Sequence, residues 1–298
     1  MSMARAHLSL RLQALARLTR IEHEAMLCLA VFIGEFIALG GLPPAGLLPV
    51  VVLSLVPPFM LGISAFAIND YFDVEIDRRN RRLDRPLVSG EISPSQALEL
   101  AVGTAVAGVA AAFLINLPCF LIALAFAAFS FLYSWKLKFL ALLGNTYVAF
   151  TMAVPFVFGG LAVFPGAVPG SIVLFSLIAF VAGVGREVMG AVRDIEGDRV
   201  RPGAQTLPMI VGTRSALAFA GFLFGLAIAL SFVPFLILPA FGNLSYAIPV
   251  GACDVLLAYV AVRAQGNTAA FLSQARTLGL LAMGLGLLGF LLGASGAT

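Results

Sequence analysis

The chain has 298 residues, 61% of them hydrophobic and only 11% charged, with a mean hydropathy of +1.03. Soluble domains carry about 25% charged residues, so the composition excludes a soluble globular enzyme and describes an all-α, polytopic membrane protein. The formal net charge of +3 means little until its distribution along the chain is seen. Cys28, Cys119 and Cys253 stand singly in apolar runs, without metal-ligand spacing, and read as buried free thiols. His7 and His23 lack the spacing of a zinc site, which sets a metalloprotease aside.

Residues 1–23 open the chain with an Arg-bearing segment. Leu8, Leu12, Leu15 and Leu18 or Thr19 recur there at helical spacing, with Arg5, Arg11, Arg17 and Arg20 interspersed. That pattern predicts a helix lying in the membrane interface. Such a polar stretch ahead of the first apolar run also argues against a cleaved signal peptide. Nine segments long enough to cross a bilayer follow, at 25–41, 47–72, 95–114, 118–134, 141–162, 171–192, 213–235, 244–263 and 275–294. Pro57–Pro58 is expected to kink the second segment and Pro155 the fifth.

The charges sort by side. Linkers after segments one, three, five and seven read GGLPPAG, NLP, FPGAVPG and LPAFGN, with no Lys or Arg. The N-terminus and the remaining linkers hold or border all 18 basic residues. The positive-inside rule makes that side cytoplasmic and places the C-terminus outside. It also accounts for the arginines without a nucleic-acid partner. Two cytoplasmic linkers, 78–94 and 199–212, are long enough to cap the helices, and Ser93-Pro94 and Gly212-Thr213 mark the helix starts that follow. The whole of 1–298 reads as one transmembrane domain.

The chemistry concentrates at the ends of segments two and six. Asn69, Asp73 and Asp77 recur every fourth residue and share a helix face, spanning roughly 12 Å at 1.5 Å per residue. Arg78, Arg79, Arg81, Arg82 and Arg85 follow at once. Asp194 and Asp198 repeat the spacing of Asp73 and Asp77 121 residues later, and Arg85-Pro86 has a counterpart in Arg201-Pro202. This local match suggests an old duplication. A solvated helix end is the bland alternative, but carboxylates near a bilayer are costly, about 2.5 to 3.5 kcal/mol each at a helix centre. Two acidic ends facing each other would also repel. Mg²⁺ relieves both costs, because it takes one or two carboxylates together with substrate phosphates. The substrate so described has a diphosphate head and a long apolar tail. A third patch, Tyr133-Ser134-Trp135-Lys136-Leu137-Lys138, has the composition of an interfacial anchor, yet it holds the only two lysines in the chain.

NDYFDVEID, YSWKLK and DIEGD with its following RPGAQTLP resemble, in order and spacing, the motifs of the UbiA superfamily of intramembrane prenyltransferases. The first family motif is met by Asn69, Asp70, Asp73 and Asp77, the second by Asp194 and Asp198. The Tyr-Ser…Leu-Lys element falls on Tyr133, Ser134, Leu137 and Lys138. The resemblance implies nine helices around a central cavity, with Asn69, Asp73, Asp77, Asp194 and Asp198 as Mg²⁺ ligands. It further implies that Lys138 and an arginine, Arg85 or Arg20, hold the donor diphosphate with Tyr133 beside them. Many relatives carry another Asp where this chain has Ala191, which leaves Glu187 or the two aspartates alone to serve the second motif.

Within the superfamily the motifs look most like the archaeal digeranylgeranylglyceryl phosphate synthase branch. There the donor is geranylgeranyl diphosphate and the acceptor is the hydroxyl of geranylgeranylglyceryl phosphate. Prenylation of an aromatic ring, 4-hydroxybenzoate or a quinone precursor, is the alternative. A secondary transporter would place its site near the bilayer midplane. Only Glu35 and Asp254 fall there, and both read as buried polar groups with partners in the bundle. The D-G-x-x-A-R pattern of enzymes that use CDP-activated lipids is absent.

Overall fold

The computed structural model describes residues 2–79, 81–199 and 203–295, with side chains from residue 10 onward. The Arg201-Pro202 pair lies outside the described residues. Within them the chain forms fourteen α-helices and no β-strand. In order they are α1 (Ser2–Thr19), α2 (Ile21–Leu39), α3 (Leu48–Ser54), α4 (Val56–Arg79), α5 (Pro86–Ser89), α6 (Pro94–Ile115) and α7 (Leu117–Trp135). There follow α8 (Leu143–Val163), α9 (Gly170–Arg193), α10 (Ile195–Arg199), α11 (Leu207–Val211), α12 (Thr213–Ile237), α13 (Leu244–Ala264) and α14 (Ala269–Ser295).

Among the described residues, eight helical stretches are long and apolar enough to cross a membrane, the first being Ala45–Arg79. The expected first span, 25–41, falls on α2, which carries Glu22, Glu24 and Glu35 in 19 residues and is not among the eight. Pro57 and Pro58 interrupt the second span, Ala45–Arg79, as expected. They occupy the first turn of α4, where a missing N–H costs nothing, and the helix interruption falls just before them at Leu55. Pro155 sits inside the continuous α8. The two expected helix starts are present. Ser93 caps α6 in a reciprocal capping box with Gln96, and Gly212 turns the chain into α12 with a φ of 83°.

The chain divides into two compact units. One comprises 1–28 and 52–137, the other 29–51 and 138–298. In the first, α4 packs against α6 and α7 while α1 and α5 lie over its C-terminal end. Ala14 and Leu18 of α1 meet Ala67 and Ile68 of α4, Leu87 of α5, and Ala97 and Ala101 of α6. The buried face of α6 is nearly all small (Ala97, Ala101, Ala105, Gly108, Ala112), which lets helix backbones approach without help from water. The burial pattern shows which side of α1 packs on the protein. Leu18 and Thr19 turn into the protein with Ala14, whereas Leu12 (57% exposed) and Leu15 (39%) do not.

In the second unit α8, α9, α12, α13 and α14 surround a core that includes Val184, Val188, Leu217, Phe224, Leu257 and Phe271. The later part of α2 crosses α8 at two glycines. A Cβ on Gly34 would come 2.1 Å from the Phe156 carbonyl oxygen, and one on Gly159 would come 2.0 Å from that of Val31. No other residue fits at either place. Phe175, Phe241, Tyr246 and Phe290 stack on one another, with Phe175 and Phe290 centroids 4.4 Å apart. All four are buried, so these rings fill core rather than line a substrate path.

Candidate active site

α4 continues through the whole first motif, because a run from Ala67 to Arg79 without Gly or Pro gives it no reason to stop. The polar groups therefore stand on a rigid rod. Asp73 and Asp77 are 8% and 5% exposed, and the Asn69 amide donates to Asp73 Oδ2 at 3.3 Å. That places a neutral oxygen and two buried carboxylates in one row, as the spacing implied. Asp70 lies one position round the helix and is more deeply buried, at 2%. It is the anchor of an ion-pair cluster that the sequence reading did not foresee.

Two arginines from distant parts of the chain converge on Asp70. Arg85 Nη1 donates to both carboxylate oxygens, at 2.9 and 3.2 Å, and Arg20 Nη2 reaches Oδ1 at 3.2 Å. Arg85 Nε also lies 3.9 Å from Asp77. Arg20 forms the joint between α1 and α2 with a φ of 49°, in the left-handed region that costs a non-glycine residue about 1 to 3 kcal/mol. Its guanidinium lies 4.4 Å over the Phe66 ring, one turn before Asp70, and His23 meets the edge of the same ring. The two arginines expected at the diphosphate are thus already oriented by protein. One turn further along α2, Glu24 is fully buried, and neither carboxylate oxygen accepts a hydrogen bond from a described residue. It presses on Gly62 of α4, where a Cβ would fall 1.7 Å from Oε2.

The loop after α4 is held by its own charges. Arg82 binds Asp84 at 3.1 Å through both Nε and Nη2, and that hydrogen-bonded guanidinium holds the Asp84 carboxyl below its ordinary range. Glu91 is likewise held low, first by the Ser89 hydroxyl and then by Arg17 of α1, with which it forms an ion pair.

In the second unit, Asp194 caps the C-terminus of α9 and Asp198 sits one turn later in α10, its N–H donating to the Asp194 carbonyl at 3.0 Å. Arg193 grips Asp194 through two bonds, at 2.7 and 2.6 Å. Beyond the motif the backbone of Gln205 pairs with that of Phe139, N to O at 2.9 Å. This ties the segment carrying Lys138 to the loop carrying the second motif. Lys138 Nζ lies 5.5 Å from the Phe139 ring centroid. Lys136, in the first unit, is exposed and lies over Trp135 at 4.5 Å, the arrangement of an interfacial anchor. Tyr133 is half-buried on the last turn of α7. Of the midplane acids, Asp254 accepts from Ser231 at 2.7 Å and Glu35 is fully buried.

The donor set fits Mg²⁺. Its oxygens are hard; Asp73 and Asp77 are buried, whereas Asp198 is half-buried and Asp194 exposed. Among the described residues no three acidic, His or Cys side chains gather into a cage that would hold an ion unaided. That matches a cation that takes one or two carboxylates plus phosphate oxygens and water.

The model of the UbiA prenyltransferase family matches residues 27–281. A digeranylgeranylglyceryl phosphate synthase from Archaeoglobus fulgidus is 40% identical over 285 residues, covering 95% of this chain and 96% of that protein. One from Thermococcus kodakarensis is 34% identical over 263 residues, covering 88% and 91%. A solved structure described as giving insight into digeranylgeranylglyceryl phosphate synthase in membranes superposes with a TM-score of 0.74 at 29% identity, covering 96% of this chain and 99% of that one. A UbiA homologue from Archaeoglobus fulgidus, bound to GPP and Mg²⁺, shares the fold with a TM-score of 0.63 at 21% identity, covering 93% and 99%.

Proposed function

The chain belongs to the UbiA prenyltransferase family, a multi-pass membrane enzyme, and from that premise we propose what it joins. The donor is geranylgeranyl diphosphate and the acceptor is the hydroxyl of geranylgeranylglyceryl phosphate, as in archaeal ether-lipid synthesis. The observation that carries this reading is near full-length similarity to several digeranylgeranylglyceryl phosphate synthases, the first at 40% identity. The buried row of Asn69, Asp73 and Asp77 agrees with it.

Bound Mg²⁺ would withdraw charge from the diphosphate leaving group. Asn69, Asp73, Asp77, Asp194 and Asp198 would supply its protein oxygens. Lys138, Arg85 and Arg20 bind diphosphate oxygens, and Tyr133 hydrogen-bonds beside them. Their work is electrostatic and largely prepaid, since Arg20 and Arg85 are held before substrate arrives. The C1–O bond of the donor breaks to leave an allylic cation and diphosphate. The acceptor oxygen forms a new C1–O bond and releases its proton. Apolar helices exclude water, which would otherwise capture the cation.

The basic linkers support an active site on the cytoplasmic side of the cell membrane. The exposed leucines of α1, Leu12 and Leu15, suit contact with lipid at that interface. α2 supplies the ninth crossing in this reading. The deciding experiment incubates purified protein with Mg²⁺, labelled geranylgeranyl diphosphate and a panel of acceptors. We expect an ether product from the prenylated glycerol phosphate and little turnover of 4-hydroxybenzoate. A C-prenylated aromatic product formed at a comparable rate would refute the lipid assignment.

A further inference from the structure

α9 carries charges the reaction above does not use. Glu187 shares a helix face with Asp194 and Asp198, two turns nearer the membrane interior, at positions i, i+7 and i+11. Its neighbour Arg186 lies about 12 Å before Asp194 along the helix at 1.5 Å per residue. The Arg186 side chain is only 16% exposed, and its Nη1 donates to Glu187 Oε1 at 2.6 Å. Its Nε is buried and has no hydrogen-bond partner among the described residues. Its stem passes Gly279 of α14, where an added Cβ would make an ordinary contact 3.8 Å from Arg186 Cδ. Arg276, one turn earlier on α14, and Arg193 also act electrostatically on Glu187.

A guanidinium at this depth is costly unless something anionic meets it. Glu187 meets it only in part, since an arginine has five N–H donors and the buried Nε is unused. Three arginines share the cluster with two carboxylates, Glu187 and Asp194. The first unit solves the matching problem differently. The position equivalent to Asp70, 121 residues on, is Ala191, so the carboxylate that orients arginines has moved one turn, to Glu187.

We infer that Arg186 binds the phosphate monoester of the lipid acceptor, and that Glu187 is its positioning residue rather than a metal ligand. This rests on the proposed function, which requires an acceptor bearing a phosphate of its own. The planar fork of Arg186 suits phosphate oxygens. Arg186 stands about two turns before Asp194 on α9, so the two anions need not share one set of cations.

The test uses full-length protein in lipid nanodiscs with Mg²⁺, geranylgeranyl diphosphate and two acceptors. One is the prenylated glycerol phosphate, the other the same prenylated glycerol without phosphate. Arg186→Gln is expected to raise the KM for the phosphorylated acceptor at least about tenfold, as for a lost charge-assisted hydrogen bond. The donor KM should stay within about twofold of wild type. On the phosphate-free acceptor the variant and wild type should be equally slow. A penalty that persists without the phosphate, or that falls on the donor KM, overturns the subsite.

Should Arg186→Gln not fold, Arg186→Lys is used with inorganic phosphate as the probe. Phosphate should compete with the acceptor in wild type and more weakly in the variant; competition with the donor alone overturns the assignment. Glu187→Gln should weaken acceptor affinity yet leave the Mg²⁺ concentration dependence unchanged. A large rise in the Mg²⁺ requirement would make Glu187 a metal ligand after all. If wild type ignores the phosphorylated acceptor altogether, the proposed function falls and the subsite with it. If wild type turns it over and Arg186→Gln matches it, only the subsite falls.

Discussion

Arg85 closes back fifteen residues onto Asp70, its Nη1 straddling the two carboxylate oxygens at 2.9 and 3.2 Å. The carboxylate is almost wholly buried and also takes Arg20, so one anion orients two cations. Removing one member of a buried charge set is far more harmful than exchanging the set for apolar groups, by about 3 to 5 kcal/mol. Asp70→Asn is therefore expected to lower kcat/KM for the donor by roughly a hundredfold or more. The Mg²⁺ requirement should stay unchanged. Steady-state kinetics across a Mg²⁺ titration, with thermal melting as a control, check this. A variant with native donor kinetics would leave Asp70 as packing alone.

Asp73 and Asp198 should behave as metal ligands. Asn at either position keeps the size but loses the charge, and turnover should fall by at least about a hundredfold, the scale of a lost electrostatic contact in a transition state. Chelating Mg²⁺ should abolish wild-type activity, and restoring it should recover activity. Truncating exposed Glu99 should do little. Near-normal rates for both aspartate variants at millimolar Mg²⁺ would contradict the two-motif site.

The two lysines separate by environment. Lys138 lies in the segment tied to the second acidic loop through Phe139 and Gln205, whereas Lys136 rests on Trp135 in the open. Lys138→Ala should raise the donor KM about tenfold, as for a lost charged hydrogen bond. Lys136→Ala should change it by less than about twofold, as for an exposed charge. Donor titrations on both variants decide it; equal small effects would make the patch an anchor.

Gly62→Ala would drive a methyl group into the Glu24 carboxylate, at 1.7 Å from Oε2. Overpacking of this kind costs about 1 to 3 kcal/mol. The variant should melt earlier, and adding Glu24→Ala should restore much of the loss because the offending atoms are gone. Melting curves of the single and double variants test the pair. A tolerant single variant would show that α2 can shift on α4.

The sequence reading reached the parts of this site that depend on local periodicity. Asn69, Asp73 and Asp77 share a face because their spacing matches the helix, and the structure keeps α4 intact beneath them. Helix starts at Ser93 and Gly212 were equally legible, since capping chemistry is local. What escaped depends on residues far apart in the chain. Asp70 belonged to a recognised motif, but its role lies in Arg20 and Arg85, fifty and fifteen residues away. Pro57 and Pro58, by contrast, act locally: their missing N–H groups break the span just before them, at Leu55. The face by which α1 packs on the protein was not legible for a reason similar to that at Asp70. Ala14 contributes little hydrophobicity, yet it is buried because a small residue lets α1 approach α4. For Glu24, the i, i+4 spacing from Arg20 was visible, but its contact with Gly62 was not.

The joint at Arg20 has a consequence for how the protein is made. The ribosome delivers α1 and Arg20 first, but Asp70 follows fifty residues later, and Glu91, the partner of Arg17, lies seventy-four residues beyond that arginine. The N-terminal helix therefore waits at the membrane surface until α4 and the loop after it have been inserted. Only then does the left-handed turn at Arg20 acquire the contacts that hold it. The first segment synthesised thus gains these contacts only after much of its unit has been made, and truncated nascent chains ending before Arg85 should leave it open to protease.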